Sequence, residues 1–399
     1  MAQTLKFGNK TWATKVGSTL AYNDENGNYK PLPFAFTRST SATRVNKEGL
    51  IEVVTNDRPR IDYTDTSDGV LLLEKAATNL ITYSQDFSNS IWNQGATRSV
   101  TFVPTNTIDP QGQTNAYRIT STASDNQVAA LASIVSGQIY NNSIYVKRVS
   151  GSGSVILRNV NNQENTFQLS VSDGWKRIDT TATSTSTFGR LYINLETIGD
   201  EIEIWGAQLE LGNISSYIPT QGSATTRVAE TASDSGNSEV FNDSEGVLFA
   251  DIAANANDGT SRYIAISDGS NNERVQIIYS SISDNIAMSV VSSNTGQAST
   301  TAITSQIQYS KLAILYKVNN CSFWFNGFKI HTDTSAVMPS GLNVLEYQRP
   351  NNTSQFYGKT KEIGYYNTIL TDLELETLTS YKSWTSMVNE LNLNIIYNG

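Results

Sequence analysis

The chain has 399 residues, with 28 Lys and Arg against 37 Asp and Glu, a formal net charge of −9. An acidic surface repels phosphate backbones and anionic headgroups, and no apolar run of about 18 residues is present to cross a bilayer, so neither a nucleic-acid partner nor membrane insertion is expected. One cysteine (Cys321) and one histidine (His331) leave no internal disulfide, no Cys/His-rich zinc site and no Ser-His-Asp triad except through His331, which reads as an exposed strand-end residue.

Hydrophobic residues make up 38% and charged residues only 16%, and Ser, Thr, Asn and Gln supply the missing polarity. Tyr and Thr favour strands while Asn and Gly favour tight turns, so composition alone points to β structure. The opening MAQTLKFGNK lacks the apolar core of a secretory signal, which suits folding in a reducing cytosol. The length suggests two or three domains.

Residues 5–24 alternate loosely as short strands and run into a turn at 23–28. YKPLPFAF (29–36) is held extended by Pro31 and Pro33. The phrase SATRV (41–45) precedes a short strand at Gly49–Glu52, Pro59 extends residues 58–63, and GVLLLE (69–74) is apolar enough to be a buried strand. Phe87, Ile91 and Trp92 have the spacing of a helical turn. From 96 to 211 strand follows strand between turn signals, the pattern of a sandwich or jelly roll. In IEIWGAQLELG (202–212), a one-residue bulge at Gly206 keeps Ile202, Ile204, Ala207, Leu209 and Leu211 on the core face and turns Glu201 and Glu203 to water.

A near-copy of the earlier phrase, SATTRVAE, occupies 223–230, and each copy is followed by Gly-Val-Leu and an acid: Glu74 in GVLLLE, Asp251 in GVLFAD. Each phrase is expected to lead the chain into a new packed unit. Strands at 262–267 and 274–280 flank a polar loop. Residues 311–332 read as a three-strand meander, with Asn319-Asn320 at its first turn and Asn326-Gly327 as a type I′ hairpin. Thr371 and Glu374 fit a capping box, which would place Leu373, Leu378 and Tyr381 on one helical face. Trp384, Val388 and Leu391 continue a stripe that packs on the last sandwich.

Three groups of residues carry a resemblance. RSTSATRVNKEGLIEVVTNDRPRIDY (38–63), with GVLLLE and ATNLITYSQDFSNSIW, resembles an N-terminal region of tailed-phage structural proteins. IEIWGAQLELG through SSYIPTQGSATTRVAE (202–230) resembles the end of the carbohydrate-binding-module-like jelly roll found with it. Residues 246–380 are similar to a laminin-G or concanavalin A-like sandwich. The resemblance implies an all-β protein: a short β-rich N-terminal virion-attachment region (1–76), two antiparallel β-sandwich (jelly-roll) domains in tandem (77–220 and 221–383), a short C-terminal helix, and a C-terminal tail (384–399). It implies a fibre, spike or decoration protein on a phage particle, a homotrimer assembled in the bacterial host cytoplasm and bound to other virion proteins through its N-terminal region, and it supplies no catalytic residues.

Sugar sites on sandwiches set aromatic faces against C–H groups and amides, acids or Arg against hydroxyls. Candidate glycan contacts are therefore Asp268, Asn271, Asn272 and Arg274 in one loop and Arg349, Asn351, Asn352 and Tyr357 in another. No cofactor is implied, although a calcium ion at Asp268 is conceivable. The alternatives to a non-enzymatic adhesin are a purely structural decoration protein and a polysaccharide depolymerase, the last needing two carboxylates across a cleft.

Overall fold

A computed structural model describes residues 3–23, 28–92, 102–122, 126–161 and 163–391. Most of the turn expected at 23–28, the first residues of the strand run at 96–211 and the tail beyond 391 lie outside the described residues. The all-β expectation holds: the sheets are antiparallel, and the longer helices are confined to Asp372–Thr379 and Trp384–Glu390.

The chain forms two compact units, and its path differs from the expected domain boundaries. The larger unit contains residues 1–39, 56–75 and 229–399; the smaller contains 40–55 and 76–228. Residues 1–76 are thus no separate region. Strand Leu5–Gly8 pairs with Gly358–Tyr366, Leu5 lying opposite Tyr365, and Val70–Leu73 pairs with the other end of the same strand, Leu71 opposite Thr360. The physical reason is burial: Leu5, Phe7, Phe34, Leu71 and Leu73 all enter one core with Leu248, Ile252, Ile314 and Ile363. The two copies of the repeated phrase flank the smaller unit. Ala42–Val45 follows the point where the chain first enters it, and Thr225–Arg227 precedes the point where the chain finally leaves for the larger unit.

In the larger unit, a ten-stranded sheet faces a five-stranded sheet of order Thr295–Ile303, Asn285–Ser292, Arg274–Tyr279, Arg262–Ser267, Val344–Glu346. Strict alternation builds the space between them: Leu248, Ala250 and Ile252 from one side meet Ile264, Ile266, Val275 and Ile277 from the other. The meander forms as expected, with Asn319, Asn326 and Gly327 all at positive φ and Phe325 paired to Phe328. On the outer face of the large sheet, Val247, Phe249, Leu315 and Trp324 are covered by helix Asp372–Thr379. Thr371 and Glu374 close its capping box. That start places Leu375 inward and leaves Leu373 exposed, because residues two apart fall on opposite sides of a helix. The stripe beyond it is likewise broken at the cap Ser383: Val388 is buried, but Trp384 is 67% exposed.

The charged ends of these segments are tied together inside the larger unit. Glu230 accepts from Arg38 Nη1 at 2.6 Å, from Arg60 Nε at 2.9 Å and from the Glu74 backbone N–H at 2.9 Å, and Arg60 also pairs with Glu74 at 2.8 Å. Burial pulls the Arg60 guanidinium down, but Glu230 and Glu74 outweigh it and hold the group above its ordinary range.

In the smaller unit, a five-stranded sheet (Phe102–Pro104, Tyr117–Thr120, Glu201–Leu211, Ile139–Ser150, Lys176–Thr183) faces a four-stranded one. The bulge occurs where expected: Gly206 has φ 63°, and the pairing steps two residues on one strand (Ser143 to Tyr145) while stepping three on the other (Gln208 to Trp205). Ile202, Ile204, Ala207 and Leu209 are in the core, but Leu211, the last residue of its strand, is 55% exposed. Glu203 is buried rather than solvated, since Arg118 (2.9 Å) and Thr107 (2.6 Å) close over it, while Glu201 is half-buried. The expected helical turn at 87–92 is a short 3-10 turn at Ser90–Trp92, with Phe87 and Trp92 in ring contact at 4.5 Å.

Candidate functional site

The outer face of the five-stranded sheet carries a polar cluster. Alternation that sends Ile264, Ile266, Val275 and Leu345 inward turns Tyr263, Ala265, Arg274, Gln276 and Glu346 outward. Register sets Glu346 and Gln276 on either side of Ala265, and Ser289 beyond Gln276. Gln276 accepts from Arg274 Nε (2.9 Å) and donates to Ser289 Oγ (2.9 Å); Gln348 donates to Glu346 (2.8 Å) and to Asn352 Oδ1 (2.7 Å).

The two sequence-predicted loops meet at this cluster. Arg349 Nε donates to Asn271 Oδ1 at 3.2 Å, and its guanidinium lies 5.6 Å from the Tyr263 ring centre. Asp268 caps its own turn through Ser270 N–H (2.8 Å) and is close enough to act on Arg274. Asn272 and Asn351 are exposed at the loop tips, Asn351 held by Thr353. Tyr357 is not part of the group; its phenol is pushed up by burial and feels Glu230 and Arg262, whose side chain alternates to the other face of the strand from Tyr263. Burial, then Arg349, lowers the Arg274 guanidinium; burial raises the Glu346 carboxyl.

Two atoms in this row lack partners. Arg274 is 8% exposed and Glu346 5%, yet Arg274 Nη1 and Glu346 Oε2 make no hydrogen bond within the protein. An unmatched donor and an unmatched acceptor on one sheet face suit a hydroxyl-rich ligand, since each buried orphan costs about 1–3 kcal/mol until something satisfies it. Tyr263, Gln276, Glu346 and Gln348 were missed from sequence, although RYIAIS and VLEYQR alternate apolar with polar and carry the signal.

A second feature lies on the outer face of the ten-stranded sheet, a cleft of about 1100 Å³ within the larger unit. Its floor continues the rows under the helix: past Phe249 come Asp251, Lys311 on one neighbouring strand and Glu362 on the other, in register. Lys311 pairs with Asp251, and Gln3 Nε2 reaches Glu362 at 2.8 Å over Gly364, where a Cβ would collide with it. The walls hold Lys359–Asp65 (2.7 Å), Lys10–Asp68 (2.7 Å) and Lys361–Glu390 (2.9 Å), with the Lys361 ammonium 4.0 Å from the Tyr309 ring centre. Burial raises the carboxyls of both Asp251 and Glu362 above their ordinary range.

Other candidates resolve into structure. Trp324 is core, under helix Asp372–Thr379. His331 is exposed on strand Phe328–Asp333, opposite Phe323. In the smaller unit the aromatic cluster of Trp205, Tyr217 and Tyr145 is closed over, Trp205 and Tyr217 being buried with Ile51. Among the described residues no group of three His, Cys, Asp or Glu side chains is placed to hold a metal ion.

The fold is that of an antiparallel β-sandwich protein. No family model matches the sequence, and no curated protein matches it significantly. Similar solved structures include the CBM40 module of a Ruminococcus gnavus sialidase bound to α2,3-sialyllactose (14% identity, 35% of this chain and 84% of that one, TM-score 0.31). They also include the CBM22 tandem of Paenibacillus barcinonensis Xyn10C (13%, 74% and 100%, TM-score 0.26) and mouse laminin α1 LG4–5 (9%, 70% and 88%, TM-score 0.16). At such low scores and identities the likeness bears on neither ligand nor activity.

Proposed function

We propose that this protein is a non-enzymatic contact protein of a phage particle, a fibre, spike or decoration subunit that touches a bacterial-surface glycan through the Tyr263–Arg274–Arg349–Glu346 cluster. The observation that carries the glycan part is two buried, unpartnered atoms on one sheet face, Arg274 Nη1 and Glu346 Oε2, a face that also carries Tyr263 with the Arg349 guanidinium over its ring. A sugar hydroxyl both donates and accepts, so the hydroxyls of a saccharide laid on this face can serve either atom. The phage part is supported by the resemblance of residues 38–63 and 202–230 to virion proteins. The homotrimer and the virion location belong to the same proposal. Docking on other virion proteins, expected of residues 1–76, then falls to surfaces of both units, since residues 1–39 and 56–75 are built into the larger and 40–55 into the smaller.

A depolymerase is not adopted. Asp251 and Glu362 stand side by side on one floor instead of flanking a bond from two sides, and each is engaged by its own partner.

The test is a glycan array probed with the labelled protein, alongside Tyr263→Ala and Arg349→Ala. Selective retention by the wild type and a loss of about tenfold or more in either variant is expected. No retained glycan, or unchanged binding by folded variants, removes the assignment and leaves the purely structural decoration role.

A further inference from the structure

The cleft on the ten-stranded sheet is separate from the loop cluster, which lies on the other sheet of the same sandwich. Its volume is just past the upper end of the roughly 300–1,000 Å³ usual for small-ligand sites. Three observations converge on one ligand chemistry.

The first is an orphaned acceptor. Asp251 is 4% exposed and lines the cleft; Lys311 engages Oδ2, but Oδ1 has no hydrogen-bond partner. An unmatched carboxylate oxygen on a residue of the cleft floor calls for a donor, and a hydroxyl of a ligand seated on that floor supplies one.

The second is the sign of the lining. The chain as a whole carries −9, yet six lysines and five carboxylates face this cleft. Four lysines (Lys10, Lys311, Lys359 and Lys361) are matched by Asp68, Asp251, Asp65 and Glu390. Glu362 is engaged by Gln3. Lys6 and Lys382 remain without an ion-pair partner among the described residues. Lys6 stands opposite Gly364, beside the Gln3 side chain that lies over that glycine, and Lys382 follows the helix Asp372–Thr379.

The third is the rest of the surface. Gln3, Asn9, Gln308 and Asn389 line the cleft with amides, while Phe249, Ile307, Leu378 and the rings of Tyr309 and Tyr366 offer apolar contact. That lining suits a hydroxylated ligand and is poorly matched to a lipid or an apolar peptide.

We propose that this cleft binds an acid-bearing saccharide unit, with a ring hydroxyl donating to Asp251 Oδ1 and the sugar's carboxylate or phosphate meeting the ammonium groups of Lys6 and Lys382. No bond is made or broken. A neutral sugar satisfies the hydroxyl contact and forfeits the charge contact, so the site discriminates by the acid group.

The experiment is titration of the full-length protein with glucuronate, glucose 6-phosphate, polygalacturonate and neutral glucose, followed calorimetrically or by saturation-transfer NMR. Glucuronate or glucose 6-phosphate should bind about tenfold more tightly than glucose, and the preference should shrink as salt rises. Lys6→Gln with Lys382→Gln, two surface changes that leave the core untouched, should remove most of that preference. Asp251→Asn should weaken acidic and neutral sugars together, with thermal unfolding as the check that it folds. Binding of polygalacturonate alone would assign the site to polymer, and binding of the monomers to free sugar acid; both support the proposal. Equal affinity for glucuronate and glucose, no binding of any probe at millimolar concentration, or a preference unaltered by the lysine changes would overturn it. Tyr263→Ala and Arg349→Ala leave this cleft intact, so loss of the loop-cluster site and loss of this one are read separately.

Discussion

Replacing Glu230 with Gln tests whether the buried charge network holds the larger unit together. Glu230 is the shared acceptor of Arg38 and Arg60, all three side chains are fully buried, and its second oxygen also takes the Glu74 backbone N–H. With Glu74 the four side chains balance, two positive and two negative. The substituted amide would turn a donor toward guanidinium donors and leave one uncompensated positive charge in a dry site. Removing one partner of a buried pair costs about 3–5 kcal/mol. For a unit of this size each kcal/mol lowers Tm by about 2–4 °C, so a fall of about 6–20 °C is expected. The assay is thermal unfolding at neutral pH by near-UV circular dichroism. Glu245→Gln, which breaks the half-exposed Lys317–Glu245 pair (2.8 Å) of the same unit, is the control and should cost no more than about 1 kcal/mol. Equal shifts for the two variants, or a Glu230→Gln protein melting with the wild type, would refute the reasoning.

Two further outcomes can be checked on the same material. Burial alone would raise Asp258, but Lys75 and Arg262 hold its carboxyl down at about 2, against an ordinary 3.8. A carboxyl depressed by folding stabilises the fold above its unfolded value, and that contribution is lost as pH falls through the folded one. Asp258→Asn should therefore flatten the decline of Tm between about pH 4 and pH 2, and an unchanged slope would contradict the assignment. Burial pushes the Cys321 thiol up to about 11, so the native protein should resist thiol-specific reagents at pH 8 and gain one reactive group per chain in denaturant; rapid labelling of the native state would show that strand Cys321–Phe325 opens.

The sequence reading succeeded where the determinant is local. Alternation located the meander, Asn326-Gly327 located its turn, Thr371 and Glu374 located a helix start, and the defective alternation around Gly206 located a bulge. It failed where the determinant is the partner. Nothing in LKFG says that it pairs with residues 362–365, because a strand's period reveals which face is apolar and not which edge it joins. Glu203 shows the same limit: its parity turns it off the core face, but Arg118 and Thr107 from other segments close over it. The loop cluster was half legible, since loop composition suggested Asn271, Arg274, Arg349 and Asn352, whereas Glu346 and Gln348 were hidden in a strand and its continuation. The cleft had one visible sign, an acid at 251 inside the otherwise apolar GVLFADI, and its meaning depended on Lys311 and Glu362 arriving from elsewhere.

The threading of the chain has a consequence for synthesis. The smaller unit closes once the ribosome has passed residue 228, but Leu5–Gly8 must wait for 362–365 before its edge is covered. Long-range pairing of that kind is slow, and the waiting strand is an open template for other chains. A nascent copy stalled short of residue 358 would hold a finished small module on an unfinished large one. A neighbouring copy could supply the missing strand, so high expression should favour strand-exchanged oligomers over simple unfolding.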